Sequence, residues 1–184
     1  QLLMSRWEAI LRDLTPVPPK FVYDGPVLEN TVEGNDVDLE LFPAPQWHPK
    51  DGGRFIGTAS VNIMRDPESA WVNLGTYRNQ ILKPNRLGVW ISPGKHGRLI
   101  RDKYFGDGDK CPIVVLVGCD PLMFWAACVE GIPYGMSELD WVGGVQARPV
   151  EVIEGPVTGL PIPAYAEIAI EGFMTAEETV VEGP

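Results

Sequence analysis

The amino-acid sequence predicts an α+β fold with about six mostly antiparallel strands and two or three helices. Its 20 glycines and 18 prolines are spread along 184 residues, which indicates many turns between short elements. Apolar alternation and β-branched runs recur after Gly53, which is typical of strands. Hydrophobic residues make up 45% of the chain, enough for one domain with a real core.

The first predicted element is a helix over residues 2–14, followed by a connector. Pro16 and Pro18-Pro19 end this helix, and a proline-rich polar stretch continues to Gly53, with one short apolar piece over 37–42. We expect residues 1–39 to form a helix and a connector laid over the surface, and residues 40–184 to form the main domain. The helical spacing is carried by Leu3, Trp7, Ile10, Leu11 and Leu14.

Strands and helices then alternate in short units. The segments 56–64 and 71–77 flank the turn sequence RDPES and predict a hairpin. The run IVVLVG is continuous and β-branched, as in a strand buried on both faces. Asp120 and Pro121 suit the N-cap and first position of a helix that ends at Gly131. The remaining predicted elements are strands over 87–91, 150–153 and 165–171 and a helix over 97–105 that ends at Gly106.

Charge and cysteine usage exclude several classes of function. Fifteen basic residues against 25 acidic ones give a net charge of −10, which argues against nucleic-acid binding as the main role. No apolar run approaches the roughly 20 residues that a membrane span needs, and the N-terminal residues lack the basic-then-apolar order of a secretory signal. The three cysteines suit a reducing compartment, so we expect a cytoplasmic protein.

Three short stretches carry polar residues that a plain core does not explain. Asn73 and Arg78 interrupt an apolar β-segment, where they mark either a site or an exposed edge strand. Lys95 and His96 follow a Pro-Gly turn at a predicted helix start, which favours a phosphate, although a surface loop is the simpler explanation of such a pair taken alone. Glu138 lies among glycines in GIPYGMSELDWVGG, either near a hard cation or in an ordinary turn.

Taken together, these stretches resemble the UbiD family of decarboxylases. Asn73, His96 and Glu138 are spaced by 23 and then 42 residues, as in the metal-binding triad of that family. The resemblance runs from about Glu40 to the C-terminus. It includes, in order, DGGRFIG, RDPES, NLGTYRNQ, PGKHG, ACVEGIPYGMSE and PIPAYAEIAIEG.

The resemblance implies a cofactor, metals and a fold. It implies a flavin-reductase-like split β-barrel that binds prenylated flavin mononucleotide (prenylated FMN). Asn73, His96 and Glu138 would hold Mn²⁺ or Mg²⁺, which also binds the flavin phosphate; an amide oxygen, an imidazole and a carboxylate suit such an ion. Potassium would lie nearby on main-chain oxygens around Leu74, Ala127 and Cys128, with Glu138 shared. The residues expected to line the cofactor are Asn73, Thr76, Tyr77, Arg78, Trp90, Ile91, Ser92, Lys95, His96 and Glu138.

The implied reaction is the reversible, non-oxidative decarboxylation of an aromatic or α,β-unsaturated acid, with CO₂ released. NLGTYRNQ is closer to the hydroxybenzoate-type branch of the family than to the cinnamate branch. Arg78 and Glu182 would belong to a catalytic network of one arginine and two acids. The alternation of a single strand puts Asn73 and Arg78 on opposite faces, so the resemblance requires a bend, which we predict at Gly75.

The second acid of that network, the proton donor, and a lysine-bearing region fall beyond Pro184 by resemblance. We therefore expect the chain to be a fragment or subunit, completed by other segments of the enzyme or by a partner. A flavin prenyltransferase would supply the cofactor, and the full protein would be a homo-oligomer. Two alternatives stay open: a module that binds flavin or phosphate without decarboxylation, and a purely structural subunit.

Overall fold

The computed structural model describes residues 2–57 and 59–182. Thr58, inside the predicted strand 56–64, lies outside the described residues, as do Gln1 of the predicted segment 1–39 and Gly183 and Pro184 of the predicted domain 40–184. The helices of the described part are α1 Leu2–Arg12, α2 His96–Gly106, α3 Pro121–Cys128 and α4 Glu138–Gln146. Its strands are β1 Lys20–Phe21, β2 Arg54–Phe55, β3 Val61–Arg65, β4 Val72–Gly75, β5 Arg78–Lys83, β6 Arg86–Trp90, β7 Cys111–Val117, β8 Glu151–Glu154, β9 Pro161–Pro163 and β10 Ile168–Met174.

The strands form three sheets that are antiparallel at every pair except β1 with β8. The largest sheet has the order β10-β7-β3-β4, and two three-stranded sheets have the orders β2-β5-β6 and β1-β8-β9. Within the described residues none of these sheets closes into a barrel, so the α+β class is confirmed and the split barrel is not. No helix in that part of the chain is both long and apolar enough to cross a membrane.

The central strand β7 is buried on both faces, as its sequence predicts. Val114 and Leu116 pack into a core shared with α3, α4, β8 and β9. Ile113 and Val115 face the opposite side and pack with Ile100 of α2. Since successive side chains of a strand point to opposite faces, this one strand joins the two main cores.

The predicted hairpin and two predicted helices are confirmed. β3 and β4 pair antiparallel from Asn62 opposite Gly75 to Arg65 opposite Val72. α2 ends at Gly106, and α3 begins at Pro121 with the Asp120 carboxylate accepting a hydrogen bond from the Leu122 N–H. The predicted bend also occurs near Gly75, because β4 ends there and β5, which belongs to another sheet, begins at Arg78.

Other elements differ from the prediction. The strand predicted from residue 56 begins only at Val61, and strands β1, β2, β5 and β9 were missing from the prediction. The connector does more than cover the surface, because Lys20 and Phe21 pair with β8 and Leu39 is buried against Ile81. Tertiary pairing, which local patterns do not encode, decides these cases.

The largest difference concerns α4, because no helix was predicted there and Glu138 was expected either near a hard cation or in an ordinary turn. Gly143 and Gly144 lower helix propensity, but the connector crosses the helix there. A Cβ on Gly144 would lie 2.6 Å from the Thr15 carbonyl oxygen, and one on Gly143 would collide with the Val17 carbonyl. These two glycines therefore serve the packing of the connector rather than the approach of a ligand.

The β3–β4 turn is organised by a buried carboxylate. Asp66 is 1% exposed, and its Oδ1 accepts the backbone N–H groups of Glu68 at 2.9 Å and Ser69 at 3.0 Å. Its Oδ2 accepts the Lys103 ammonium of α2 at 2.7 Å. Burial raises the pKa of Asp66, but Lys103 and the two N–H groups outweigh it, so the pKa lies below its ordinary value.

We predict that Asp66→Ala lowers the free energy of unfolding by about 2 kcal/mol, because two turn N–H groups lose their acceptor. Since the folded-state pKa is lowered, the stabilisation is present above the unfolded-state pKa of about 4 and is lost as the pH falls below it. Urea denaturation of both proteins at pH 7 and at pH 3 measures this difference.

The control is Glu68→Ala, which removes an exposed partner of the same lysine. Its effect should stay within about 0.5 kcal/mol. An Asp66→Ala protein as stable as the Glu68→Ala protein at pH 7 contradicts the assignment.

Candidate functional site

Two of the three predicted metal ligands are in direct contact. Glu138 Oε1 accepts a hydrogen bond from the Asn73 side-chain amide at 3.0 Å, and Glu138 Oε2 accepts the Leu74 backbone N–H at 2.7 Å. Asn73 is 2% exposed and Glu138 is 4% exposed. The second half of strand β4 and the first residue of α4 therefore meet in a buried polar contact.

The position of Glu138 follows from how α4 begins. Ser137 is the N-cap, and its hydroxyl accepts the Leu139 N–H at 3.3 Å. Leu139 and Val142 are buried in the core, so the first turn of the helix is fixed against β4. Ser137 followed by an acidic first turn is a helix-start signal in the sequence.

Tyr77 joins this contact to the start of α2. Its hydroxyl donates to Asn73 Oδ1 at 3.2 Å and accepts the Gly97 N–H at 3.0 Å. Burial raises the pKa of Tyr77 to about 12, so the phenol keeps its proton. A Cβ on Gly97 would lie 2.5 Å from this hydroxyl, and one on Gly75 would collide with it. Both glycines are required by the close approach of the ring.

His96, the third predicted ligand, lies at the start of α2 beside Gly97. Its ring contacts two aromatic rings, Trp71 with centroids 5.1 Å apart and Tyr134 with centroids 5.4 Å apart. Burial and then the positive charge of Lys95 lower the pKa of His96, so the imidazole is neutral at pH 7. A neutral imidazole has a lone pair available for a metal.

The donor set fits a divalent ion. Burial raises the pKa of Glu138 to about 7, although hydrogen bonds from the Leu74 N–H, from its own backbone N–H and from the Asn73 amide lower it. These partners are all neutral, and a buried carboxylate without a cation is costly. Within the described part of the chain no three His, Cys, Asp or Glu side chains form a metal-binding group, so a site here also needs the Asn73 oxygen.

The predicted catalytic pair is also brought together. The Arg78 guanidinium donates to Glu182 Oε2 at 2.9 Å, although 104 residues separate them. The side chain of Glu182 is 19% exposed and that of Arg78 is 63% exposed. Among the described residues, nothing hydrogen-bonds the buried Oε1 of Glu182. The tail after β10 thus delivers a carboxylate to the start of β5.

Several of the predicted cofactor-lining residues lie near the end of the β5–β6 pair at which Arg78 meets Glu182. Trp90 lies opposite Arg78 in the register, and Ser92 and Lys95 continue the chain to α2. Thr76, Trp90 and Ser92 are exposed, and Lys95 forms an ion pair with Glu130. Ile91 is an exception, because its side chain is buried in the core beside Ile100. Ile91 is buried as a whole residue.

The residues predicted to bind a monovalent ion lie on two elements that pack together, strand β4 and helix α3. Leu74 contacts the Glu138 carboxylate through its N–H, and its carbonyl accepts the Asn73 amide at 3.2 Å. Ala127 and Cys128 end α3, which packs against β4 and α4. Two open cavities have volumes of about 460 and 410 Å³, and neither is lined by Asn73, His96 or Glu138, although the smaller one borders the site at Trp71 and Ser137.

Sequence reasoning missed two residues of the site and the role of a third. These are Tyr77 in its role as a hydrogen-bond bridge and the rings of Trp71 and Tyr134 beside His96. Gly75 and Gly97 are the only local signals for the bridge, because each leaves room for the same phenol. No sequence pattern indicates the ring contacts, which join segments far apart in the chain.

Comparison with known proteins gives one consistent family. A family model described as "UbiD: 3-octaprenyl-4-hydroxybenzoate carboxy-lyase Rift-related domain" matches residues 20–184. Pyrrole-2-carboxylic acid decarboxylase of Pseudomonas aeruginosa is 35% identical over 169 residues, 92% of this chain and 34% of that protein. A phenolic acid decarboxylase of a Streptomyces species is 34% identical over 189 residues, 97% of this chain and 37% of that protein.

Solved structures with a similar fold include a UbiD-class enzyme and a vanillic acid decarboxylase. An evolved dimeric form of the UbiD-class enzyme HmfF from Pelotomaculum thermopropionicum, in complex with prenylated FMN, has a TM-score of 0.85 at 30% identity, covering 96% of this chain and 40% of that one. The closed form of Sedimentibacter hydroxybenzoicus vanillic acid decarboxylase has a TM-score of 0.88 at 28% identity, covering 97% and 39%. The chain thus spans little more than a third of the length of these relatives.

We predict that Tyr77→Phe lowers the free energy of unfolding by about 2 kcal/mol, because the buried Asn73 oxygen and the Gly97 N–H lose their partner. Chemical denaturation measures this loss. The matched control is Tyr23→Phe, since Tyr23 is fully exposed and its hydroxyl deletion should change stability by less than about 0.5 kcal/mol. Equal stability of the two variants would exclude a structural role for the bridge.

Proposed function

The chain belongs to the UbiD family, and from this membership we propose that it forms the cofactor- and metal-binding part of a carboxy-lyase. The proposed reaction is the reversible, non-oxidative decarboxylation of an aromatic or α,β-unsaturated carboxylic acid. The names of two relatives, a pyrrole-2-carboxylic acid decarboxylase and a phenolic acid decarboxylase, support this substrate class. The observation that carries the proposal is the buried Asn73–Glu138 contact, which Tyr77 links to the Gly97 N–H next to His96.

Asn73, His96 and Glu138 are proposed to hold Mn²⁺ or Mg²⁺. Their oxygen and nitrogen donors suit a fairly hard six-coordinate ion, whose other positions would be open to the phosphate of the cofactor. The ion would also compensate the buried charge of Glu138. A potassium ion is proposed beside it on main-chain oxygens around Leu74, Ala127 and Cys128.

Prenylated FMN supplies, when bound, the electron sink that the loss of CO₂ requires. This chain would position it. Lys95, at the start of α2, brings a positive charge to the phosphate. Thr76, Tyr77, Trp90 and Ser92 are proposed to contact the cofactor with their side chains.

Arg78 is proposed to bind the substrate carboxylate, because a guanidinium offers paired N–H donors that match two carboxylate oxygens. Its hydrogen bond to Glu182 orients both groups. Within the described residues the buried Oε1 of Glu182 has no hydrogen-bond partner, and it is proposed to carry a proton. The proton donor to the product carbon is proposed to lie on another segment of a longer protein or on a partner subunit, and the assembly to be homo-oligomeric.

We predict that Glu138→Gln weakens Mn²⁺ binding by more than about 100-fold, since even the loss of an outer-shell partner of a metal ligand costs about 10- to 100-fold. The measurement is the electron paramagnetic resonance signal of free Mn²⁺, titrated with the protein in the presence of FMN. The isosteric glutamine keeps an acceptor for the Leu74 N–H, so the fold is retained.

The matched control is Glu130→Gln, since Glu130 is an exposed acid between α3 and α4 that pairs with Lys95. It should bind Mn²⁺ as the unmodified protein does. Unchanged Mn²⁺ affinity in Glu138→Gln would overturn the metal assignment. Replacing FMN by prenylated FMN in the titration then separates the decarboxylase from a general flavin-binding module, because the module predicts equal affinity for both flavins.

A further inference from the structure

Tyr134 lies over the His96 imidazole although it belongs to the segment that leads to Glu138. Its ring centroid is 5.4 Å from that of His96 and 4.7 Å from that of Trp71, and Trp71 also contacts His96 at 5.1 Å. The three rings thus contact one another pairwise. Trp71 is buried, whereas Tyr134 is 60% exposed and covers the imidazole from the solvent side.

A tight turn fixes where Tyr134 stands. The Met136 N–H donates to the Pro133 carbonyl at 3.1 Å, and Gly135 has φ of 87°. These are features of a type II turn, in which the third residue needs positive φ and is usually glycine. Tyr134 is the second residue of the turn. The turn runs directly into the Ser137 cap, so the phenol ring and the Glu138 carboxylate are held in one short rigid segment.

The ring therefore ties two separate elements together. His96 starts α2 and Glu138 starts α4, and 42 residues separate them in the sequence. We propose that Tyr134 is a positioning residue. It holds the His96 imidazole in the orientation in which the imidazole coordinates the same ion as Glu138. This inference rests on the proposed metal site.

The contact is made by the ring, with edge-to-face geometry to His96 at 79° between the planes. Such aromatic contacts fix the ring orientation without a hydrogen bond. Removing the ring leaves the imidazole free to rotate on one side while Trp71 still supports the other. The hydroxyl is not needed for this role, so phenylalanine at this position should serve as well as tyrosine.

The test is Mn²⁺ titration in the presence of FMN for Tyr134→Leu and Tyr134→Phe. We expect Tyr134→Leu to bind Mn²⁺ about tenfold more weakly, as for the loss of an outer-shell partner, and Tyr134→Phe to bind as the unmodified protein does. Because Tyr134 is largely exposed, the thermal midpoints of both variants should match that of the unmodified protein. If the Tyr134 ring had a purely structural role, its loss would lower the thermal midpoint, and a variant with an unchanged midpoint would keep its Mn²⁺ affinity.

A second variant keeps the ring and disturbs only the turn. A Cβ at Gly135 meets nothing within 4 Å, so Gly135→Ala acts through the positive φ alone. It should weaken Mn²⁺ binding in the same direction as Tyr134→Leu. Unchanged affinity in Tyr134→Leu, or equal weakening in Tyr134→Phe, overturns the inference.

Glu138→Gln separates this inference from the proposed function. Where Glu138→Gln abolishes Mn²⁺ binding and Tyr134→Leu leaves it intact, the metal site stands and the role of Tyr134 fails. Where the unmodified protein binds no Mn²⁺ with FMN present, or Glu138→Gln binds it as well as the unmodified protein, the metal site and the role of Tyr134 fail together.

Discussion

The burial of the Glu138 carboxylate at the end of β4 is the constraint on which the rest of the site depends. A carboxylate that is 4% exposed must be surrounded by donors or by a cation. Leu74 and Asn73 supply the donors, which requires β4 to end beside the first turn of α4. Tyr77 then satisfies the remaining Asn73 oxygen and reaches α2 through the Gly97 N–H. Three elements from distant parts of the chain are thus placed by one buried charge.

The polar residues of the site lie at the ends of regular elements, where backbone groups need partners in any case. Glu138 follows the Ser137 cap, His96 opens α2 and Asn73 precedes the last residues of β4. Arg78 begins β5 after the crossover between sheets. The cores hold each of these elements in place, and rigid elements position functional groups more accurately than loops do.

The parts of this fold that were predictable are those with strong local signals. The RDPES turn, the β-branched run of β7 and the Asp120–Pro121 start of α3 each determine their own structure. Helix α4 was missed because Gly143 and Gly144 weaken its pattern, and the connector that requires those glycines is distant in sequence. For the site, the resemblance supplied Asn73, His96, Glu138 and Arg78. It did not supply the Tyr77 bridge or the Tyr134 ring, which arise only when three segments pack together.

The hydrogen bonds around Asn73 run in one direction, and this bears on how an ion would bind. The Gly97 N–H donates to the Tyr77 hydroxyl, the hydroxyl donates to Asn73 Oδ1, and the Asn73 amide nitrogen donates to Glu138. Asn73 consequently turns its nitrogen, not its oxygen, toward the carboxylate. For both side chains to hold a cation, the Asn73 amide must rotate so that its oxygen faces the ion. The hydrogen bonds from Asn73 to Glu138 and from Tyr77 to Asn73 are then replaced by coordination of the ion. The same contact that brings the two ligands together therefore sets part of the free-energy cost of occupying the site, and Tyr77 has to find a new acceptor when the site is filled.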